Sequence, residues 1–258
     1  METATLGFLK LYSIVRSSYK RPAFFSLSFI EHIYRELSFC LTPLFLKLNI
    51  TANATSYINL AIGVIAALLI FSATSAGFIL GIFVFLFSEV VDRVDGNISR
   101  VCGTSTFYGK FVDGFIDIVT LTLLRLALAY WAYAHFFSDL LVGLGIVCAV
   151  LTPFHHLMFD RYSAFARWIN ESTGLKLKPY IRTDSLTRVL NALDDAQYVA
   201  LMISLFCREF GLLLYFVINI ANSSLYLFFH LQATHEHMRV KKISPKLAEN
   251  FNQSSNRL

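Results

Sequence analysis

The stretch Asp92-Arg-Val-Asp95-Gly96-Asn-Ile-Ser99-Arg100, followed by Gly109-Lys-Phe-Val-Asp113-Gly-Phe-Ile-Asp117, gathers the residue types best able to do chemistry. Four carboxylates, with Gly96, Gly109 and Arg100 among them, stand at the ends of two long apolar segments. An ionised side chain in or beside a bilayer is costly, so carboxylates placed there are functional candidates. Asp92 and Asp95 are three apart and Asp113 and Asp117 four apart, so each pair shares one helical face. With those faces turned inward the four carboxylates converge, and without cations between them they repel one another. Hard oxygen ligands of this kind suit Mg2+, Mn2+ or Ca2+, whereas zinc sites usually take His or Cys. Two such ions about 3.5–4 Å apart form the clamp used for in-line displacement at phosphorus. Gly96 and Gly109 leave room for a ligand or a second backbone. Arg100 carries the guanidinium fork suited to phosphate oxygens.

These residues need helices to hold them, and the apolar runs near 57–76, 78–91, 111–133, 140–159, 199–206 and 210–231 predict six membrane-spanning helices. The second run reaches the ~20 residues of a span if its helix continues through Asp92 and Asp95. The fifth does so if it starts near Val189, with Asp194 and Asp195 at its inner end. The expected fold is therefore an all-α integral membrane protein. Residues 1–50 form a cytoplasmic N-terminal region, 51–235 a six-helix catalytic domain, and 236–258 a polar tail. Leu27, Ile30, Tyr34, Leu37, Leu41 and Leu44 recur at helical intervals, which reads as an amphipathic helix on the membrane surface or against the bundle's inner face. Pro43 is expected to end or kink it. Residues 160–191 read as a long basic connection.

Composition agrees with a membrane enzyme. Hydrophobic residues make up 56% of the chain and the mean hydropathy is +0.58, too apolar for an ordinary soluble domain. Of the 22 Lys and Arg, all but Arg125 and Arg208 fall in segments on one side of the six-span arrangement. That bias places both termini and the aspartates in the cytoplasm. The net charge of +5 then reflects topology and attraction to anionic lipids, and argues against nucleic acid. The cysteines, Cys40, Cys102, Cys148 and Cys207, show no paired metal-ligand spacing.

The pattern D-x2-D-G-x2-S-R-x8-G-x3-D-x3-D resembles the signature of the CDP-alcohol phosphotransferase (phosphatidyltransferase) family, with Ser99 where the family usually has alanine. The resemblance implies transfer of a phosphoalcohol group from a CDP-linked donor to an alcohol acceptor, with release of CMP. It implies that Asp92, Asp95, Asp113 and Asp117 hold two Mg2+ or Mn2+ ions, and that Asp117 is also the general base. Gly96, Ser99, Arg100 and Gly109 then face the nucleotide and pyrophosphate. CDP-diacylglycerol is the preferred donor and a small polar alcohol the acceptor, in phospholipid biosynthesis at a bacterial inner membrane or eukaryotic endomembrane. CDP-choline or CDP-ethanolamine donating to diacylglycerol is the alternative within the class, and the family also admits homodimers. Outside the class stand a cation transporter, which has no use for Gly96 and Arg100, and an inactive lipid-binding scaffold.

Other polar residues carry weaker expectations. Thr51, Asn53 and Thr55 read as a helix cap or a substrate-side entrance. Glu89 and Arg125 are expected to pair across the cavity. Arg161, Arg167, Lys176, Lys178, Arg182 and Arg188 read as a phosphate cradle or as ordinary positive-inside charge. His155 and His156 are expected on different faces, and Asn219 and Asn222 are expected to bond between helices.

Overall fold

The computed structural model describes residues 6–19, 28–173 and 184–238, and every regular element among them is an α-helix. In chain order these are α1 (Phe8–Ser18), α2 (Phe29–Lys47), α3 (Ala52–Phe71), α4 (Ser75–Cys102), α5 (Phe107–Phe136), α6 (Asp139–Thr173), α7 (Asp184–Ile203) and α8 (Arg208–Met238). Short polar side chains start four of them: Ser28, Thr51, Thr74 and Thr106 each accept from the backbone N–H three residues on. Gly103, at φ 66°, ends α4 in the left-handed region that glycine tolerates best.

Helix α3 is the hub, because α4 and α5 both pack on it, while α4 and α5 make little backbone contact with each other. Gly63 of α3 makes the α5 contact close, since a Cβ there would lie 2.4 Å from Thr120 Cγ2. Helix α5 also packs on α6, α6 on α8, and α8 on α7. Phe78, Ile82, Leu128, Trp131, Leu201 and Phe216 fill the centre of this bundle, with Phe78 and Trp131 ring centroids 4.2 Å apart. A second cluster joins Leu11 and Val15 of α1 and Phe39 and Leu46 of α2 to Val91, Val94 and Ile98 of α4.

By length and composition, α3, α4, α6 and α8 are able to cross a membrane. Helices α5 and α7, the other two expected spans, are not among these four. Both carry ionisable residues, Asp113, Asp117 and Arg125 on one and Asp194 and Asp195 on the other, which dilute their apolar character.

Three expectations are corrected. The basic connection is mostly helix, because α6 continues to Thr173 and α7 begins at Asp184. Pro43 does not end α2, in which it lies and which runs on to Lys47. The apolar stripe assigned to α2 also splits. Tyr34 is buried with Ser38, Phe39, Thr42 and Phe45, whereas Leu37 and Leu44 are exposed together with Phe29 and Ile33. The helix therefore presents a mixed polar–aromatic face to α4 and a bare apolar face outward, because buried Ser38 and Thr42 have a partner on α4. Leu27, Lys20, Arg21, Lys176, Lys178, Arg182 and the tail beyond 238 lie outside the described residues.

Candidate active site

The gap between α4 and α5 is where the carboxylates meet. Asp92 and Asp95 project from α4, and Asp113 and Asp117 from α5. The Asp92 carboxyl adjoins that of Asp117, and the Asp95 carboxyl adjoins that of Asp113. Helix α3 floors the gap: Ser56 Oγ donates to Asp95 Oδ2 at 2.5 Å, and Asn59 Nδ2 donates to Asp92 Oδ1 at 3.1 Å. The spacing arithmetic therefore brings all four together.

Two cavities flank this row. The smaller, about 250 Å3, is lined by Asn53 and Ser56 of α3, Asp95, Gly96, Ser99 and Arg100 of α4, and Thr106, Gly109 and Lys110 of α5, among others. The larger, about 550 Å3, holds Asp92 and Asp117 at one end and reaches between α6, α7 and α8. Asp113 and Lys110 line both. Gly109 leaves the approach open, since a Cβ there would be 3.1 Å from Asn53 Oδ1. A Cβ on Gly96 would be 3.3 Å from Arg100 Nη1, in the mouth of the smaller cavity. Arg100 Nη2 donates to Asn97 Oδ1 at 2.7 Å, and its guanidinium lies 5.3 Å from the Tyr19 ring centroid.

The donor set fits hard divalent cations. Four carboxylates share one gap. Asn59 Oδ1, buried beside Asp92, has no partner in the protein. The nearest guanidinium, Arg93, is 3.9 Å from Asp92 and is committed elsewhere, to Glu31 and Glu89. Among the described residues no three His, Cys, Asp or Glu side chains stand in a closed coordinating cluster.

A charged chain ties the site to α2. Arg93 Nε donates to Glu31 Oε2 at 2.9 Å, and Arg35 also reaches Glu31. Burial by itself would raise the Glu31 pKa, but Arg93 and Arg35 outweigh it and hold the carboxyl below its ordinary value. Asp195 caps the start of α2, accepting from Phe29 N at 2.9 Å and Ile30 N at 2.7 Å.

The expected pair of Glu89 and Arg125 does not form. Glu89 accepts from Arg93 and, at 2.9 Å, from the Tyr198 hydroxyl. Arg125 donates to Thr152 and, at 2.5 Å, to Asn219 Oδ1. A guanidinium one turn from Glu89 decided the matter: Arg93 is four residues away on the same helix. His155 and His156, expected on different faces, both line the larger cavity, His155 stacked on Tyr226 at 4.6 Å. Asn219 and Asn222 do bond between helices, the latter to Asp194 Oδ1 at 2.7 Å. Thr51 is a cap, while Asn53 reaches the smaller cavity. Arg161, Arg167 and Arg188 are exposed and line neither cavity. Ser56, Asn59, Asn97 and Lys110 escaped the sequence reading. The available signal was the Asn53, Ser56, Asn59 spacing of three through an otherwise apolar helix.

Residues 49–209 match the family model of CDP-alcohol phosphatidyltransferase, and the chain belongs to that family, whose members are transferases of substituted phosphate groups. Two solved structures of the phosphatidylinositol phosphate synthase of Mycobacterium tuberculosis share the fold. One is in complex with manganese and citrate, the other has CDP-DAG bound. Each has a TM-score of 0.55 and 17% identity over 76% of this chain, and 86% and 90% of the respective neighbour is covered. No curated protein matches the chain in sequence.

Proposed function

We propose that this chain transfers a phosphatidyl group from CDP-diacylglycerol to the hydroxyl of a small polar alcohol, releasing CMP. The observation that carries the reading is the row of four carboxylates standing between two cavities. One cavity is walled by Gly96, Ser99, Arg100 and Gly109, the other is open beyond Asp117. The smaller cavity takes the cytidine nucleotide, where the two glycines permit close approach and Arg100 neutralises phosphate oxygens. Phe107, Phe111 and Phe115, all exposed along the outer face of α5, offer an apolar flank for the donor's acyl chains.

Asp92, Asp95, Asp113 and Asp117 would hold two Mg2+ or Mn2+ ions, and the manganese in the neighbour's structure supports that choice. Such ions, when bound, supply charge neutralisation at the diphosphate. Asp117, facing the larger cavity, takes the proton of the acceptor hydroxyl. The hydroxyl oxygen bonds to the phosphatidyl phosphorus as the bond from that phosphorus to the CMP oxygen breaks. Lys110, shared by both cavities, stands beside the phosphate that carries the charge. Ser56 and Asn59 keep Asp95 and Asp92 oriented throughout.

The catalytic unit is residues 51–235, with six spans made of α3 to α8. The one-sided distribution of Lys and Arg supports termini and site in the cytoplasm. The test is CMP release by the purified protein with Mg2+ or Mn2+. CDP-diacylglycerol is offered a panel of alcohols, and CDP-choline and CDP-ethanolamine are offered diacylglycerol. Metal-dependent release with CDP-diacylglycerol, reduced about 10²–10⁴-fold in Asp117→Asn, is expected. Release with only the other two donors would reverse the roles of donor and acceptor.

A further inference from the structure

The larger cavity extends past the carboxylates, and its far end is built from residues that the transfer chemistry leaves unused. Asp117, Leu121 and Arg125 follow one another on one face of α5, and all three line it. At 1.5 Å per residue the cavity runs about 12 Å along the helix from carboxylate to guanidinium. Arg125 and Asn222 are only 5% and 6% exposed. Each keeps one buried polar atom without a partner in the protein: Arg125 Nε, a donor, and Asn222 Oδ1, an acceptor. Their other polar atoms are engaged. The two Nη atoms of Arg125 donate to Thr152 and Asn219, and Asn222 Nδ2 donates to Asp194. The Asp194 carboxylate accepts only, so it fixes the Asn222 amide with its oxygen turned elsewhere.

We propose that this inner half binds the acceptor alcohol, and that the acceptor is a small polyol bearing no phosphate. The inference rests on the transfer reaction above. A hydroxyl both donates and accepts, so the hydroxyls of one polyol satisfy the unpartnered Nε of Arg125 and the unpartnered oxygen of Asn222. A phosphate group placed at this end only accepts, so it does not itself satisfy the Asn222 oxygen. It also finds both Nη atoms of Arg125 already donating to the protein, and it would share the cavity wall with Asp160 and Asp194 as well as with Lys110. An ammonium only donates and leaves Arg125 Nε bare. An amino-acid carboxylate favours a bidentate fork, and both Nη atoms of Arg125 already donate to the protein. The volume of about 550 Å3 is within the range of small-molecule sites.

The full-length protein is given CDP-diacylglycerol and Mn2+ with three sets of acceptors. The first is myo-inositol, glycerol and mannitol; the second is inositol 1-phosphate and glycerol 3-phosphate; the third is serine and ethanolamine. CMP release confined to the first set is expected. Asn222→Leu should raise the KM for the active polyol at least tenfold while the KM for CDP-diacylglycerol holds. Should Asn222→Leu fail to fold, Arg125→Lys removes Nε while keeping the charge and is read in the same way. The thermal shift of the unaltered protein by the active polyol needs no variant. Release confined to the second or third set, or a polyol KM unmoved in a folded variant, overturns the acceptor class and leaves the transfer reaction standing. Binding of CDP-diacylglycerol without release in any set also overturns it. Neither binding nor release removes the transfer reading itself, and the acceptor assignment falls with it.

Discussion

Asn97 is the point at which the motif helix is locked to its neighbour, and replacing it tests the packing argument most directly. It is fully buried on α4. Its amide nitrogen donates to Ser38 Oγ and Thr42 Oγ1 of α2, both at 3.0 Å, and its oxygen accepts from Arg100 Nη2 at 2.7 Å. Asn97→Ala removes two neutral bonds in a buried place, each with a net contribution of about 1 kcal/mol. The bond to Arg100 is charge-assisted, but that side chain is exposed, so about 0.5 kcal/mol is a fair share. Ser38 and Thr42 still donate to the carbonyls of Arg35 and Ser38, so neither hydroxyl loses every partner. The loss should be about 2–3 kcal/mol, read as reduced resistance to unfolding in detergent. Ser38→Ala made in the Asn97→Ala background should lower stability less than in the natural chain, because the bond it breaks is already gone. Catalysis should suffer separately. With Arg100 released, the KM for the CDP-linked donor should rise several-fold more than kcat falls. A folded Asn97→Ala protein within about 0.5 kcal/mol of the natural chain, with additive single and double variants, would refute the clamp.

Three further outcomes follow from the same geometry. Ser56→Ala strips Asp95 of its 2.5 Å donor, and loss of such an orienting partner should cut activity or metal affinity about 10–100-fold with little change in melting; activity at saturating Mn2+ and the Mn2+ requirement are to be measured together. Glu31 has a folded pKa below its ordinary 4.5, so its pairing stabilises above that value and the contribution disappears as pH falls through the lower folded one. Glu31→Gln should lose about 1.5–3 kcal/mol at neutral pH, where hydrogen bonds to charged groups are broken, and should show a flatter stability profile below pH 4.5 than the natural chain. At the α5–α6 contact, a Cβ on Gly145 would lie 2.5 Å from Ala129 Cβ and 3.2 Å from its Cα, so Gly145→Val should destabilise by about 1–3 kcal/mol, scored by thermal unfolding.

The carboxylate row was legible in the sequence because every residue in it obeys local arithmetic. Asp92 with Asp95, and Asp113 with Asp117, are set by the helical repeat alone, and only the mutual approach of two helices had to be assumed. The apolar runs likewise exposed the long helices α3, α4, α6 and α8. The reading failed where a segment's polarity hid its helicity. Residues 160–173 continue α6 although charged and polar residues interrupt their apolar ones, since a helix leaving an apolar layer needs no continuous apolar run to keep its backbone bonds. On α2 the hydrophobic repeat misled for the opposite reason. The helix turns Ser38 and Thr42 inward to serve Asn97, and leaves Leu37 and Leu44 outside.

The pairing of Glu89 shows what periodicity cannot decide. Arg93 and Arg125 are both cations able to approach it, and the sequence offers no way to rank them except distance along the chain. Arg93 is four residues away on the same helix and so cannot avoid Glu89, whereas Arg125 must come across the gap. Once Arg93 has satisfied Glu89 and Glu31, its charge is spent on α2 rather than on the aspartates. Against the four carboxylates Arg93 then offers only its 3.9 Å approach to Asp92, an excess of negative charge that suits divalent cations. Arg125, freed from Glu89, is anchored instead by Thr152 and Asn219 at the far end of the larger cavity. The same choice of partner thus separates the molecule into an anionic half suited to cations and phosphate chemistry, and an inner half whose open donor and acceptor suit hydroxyls.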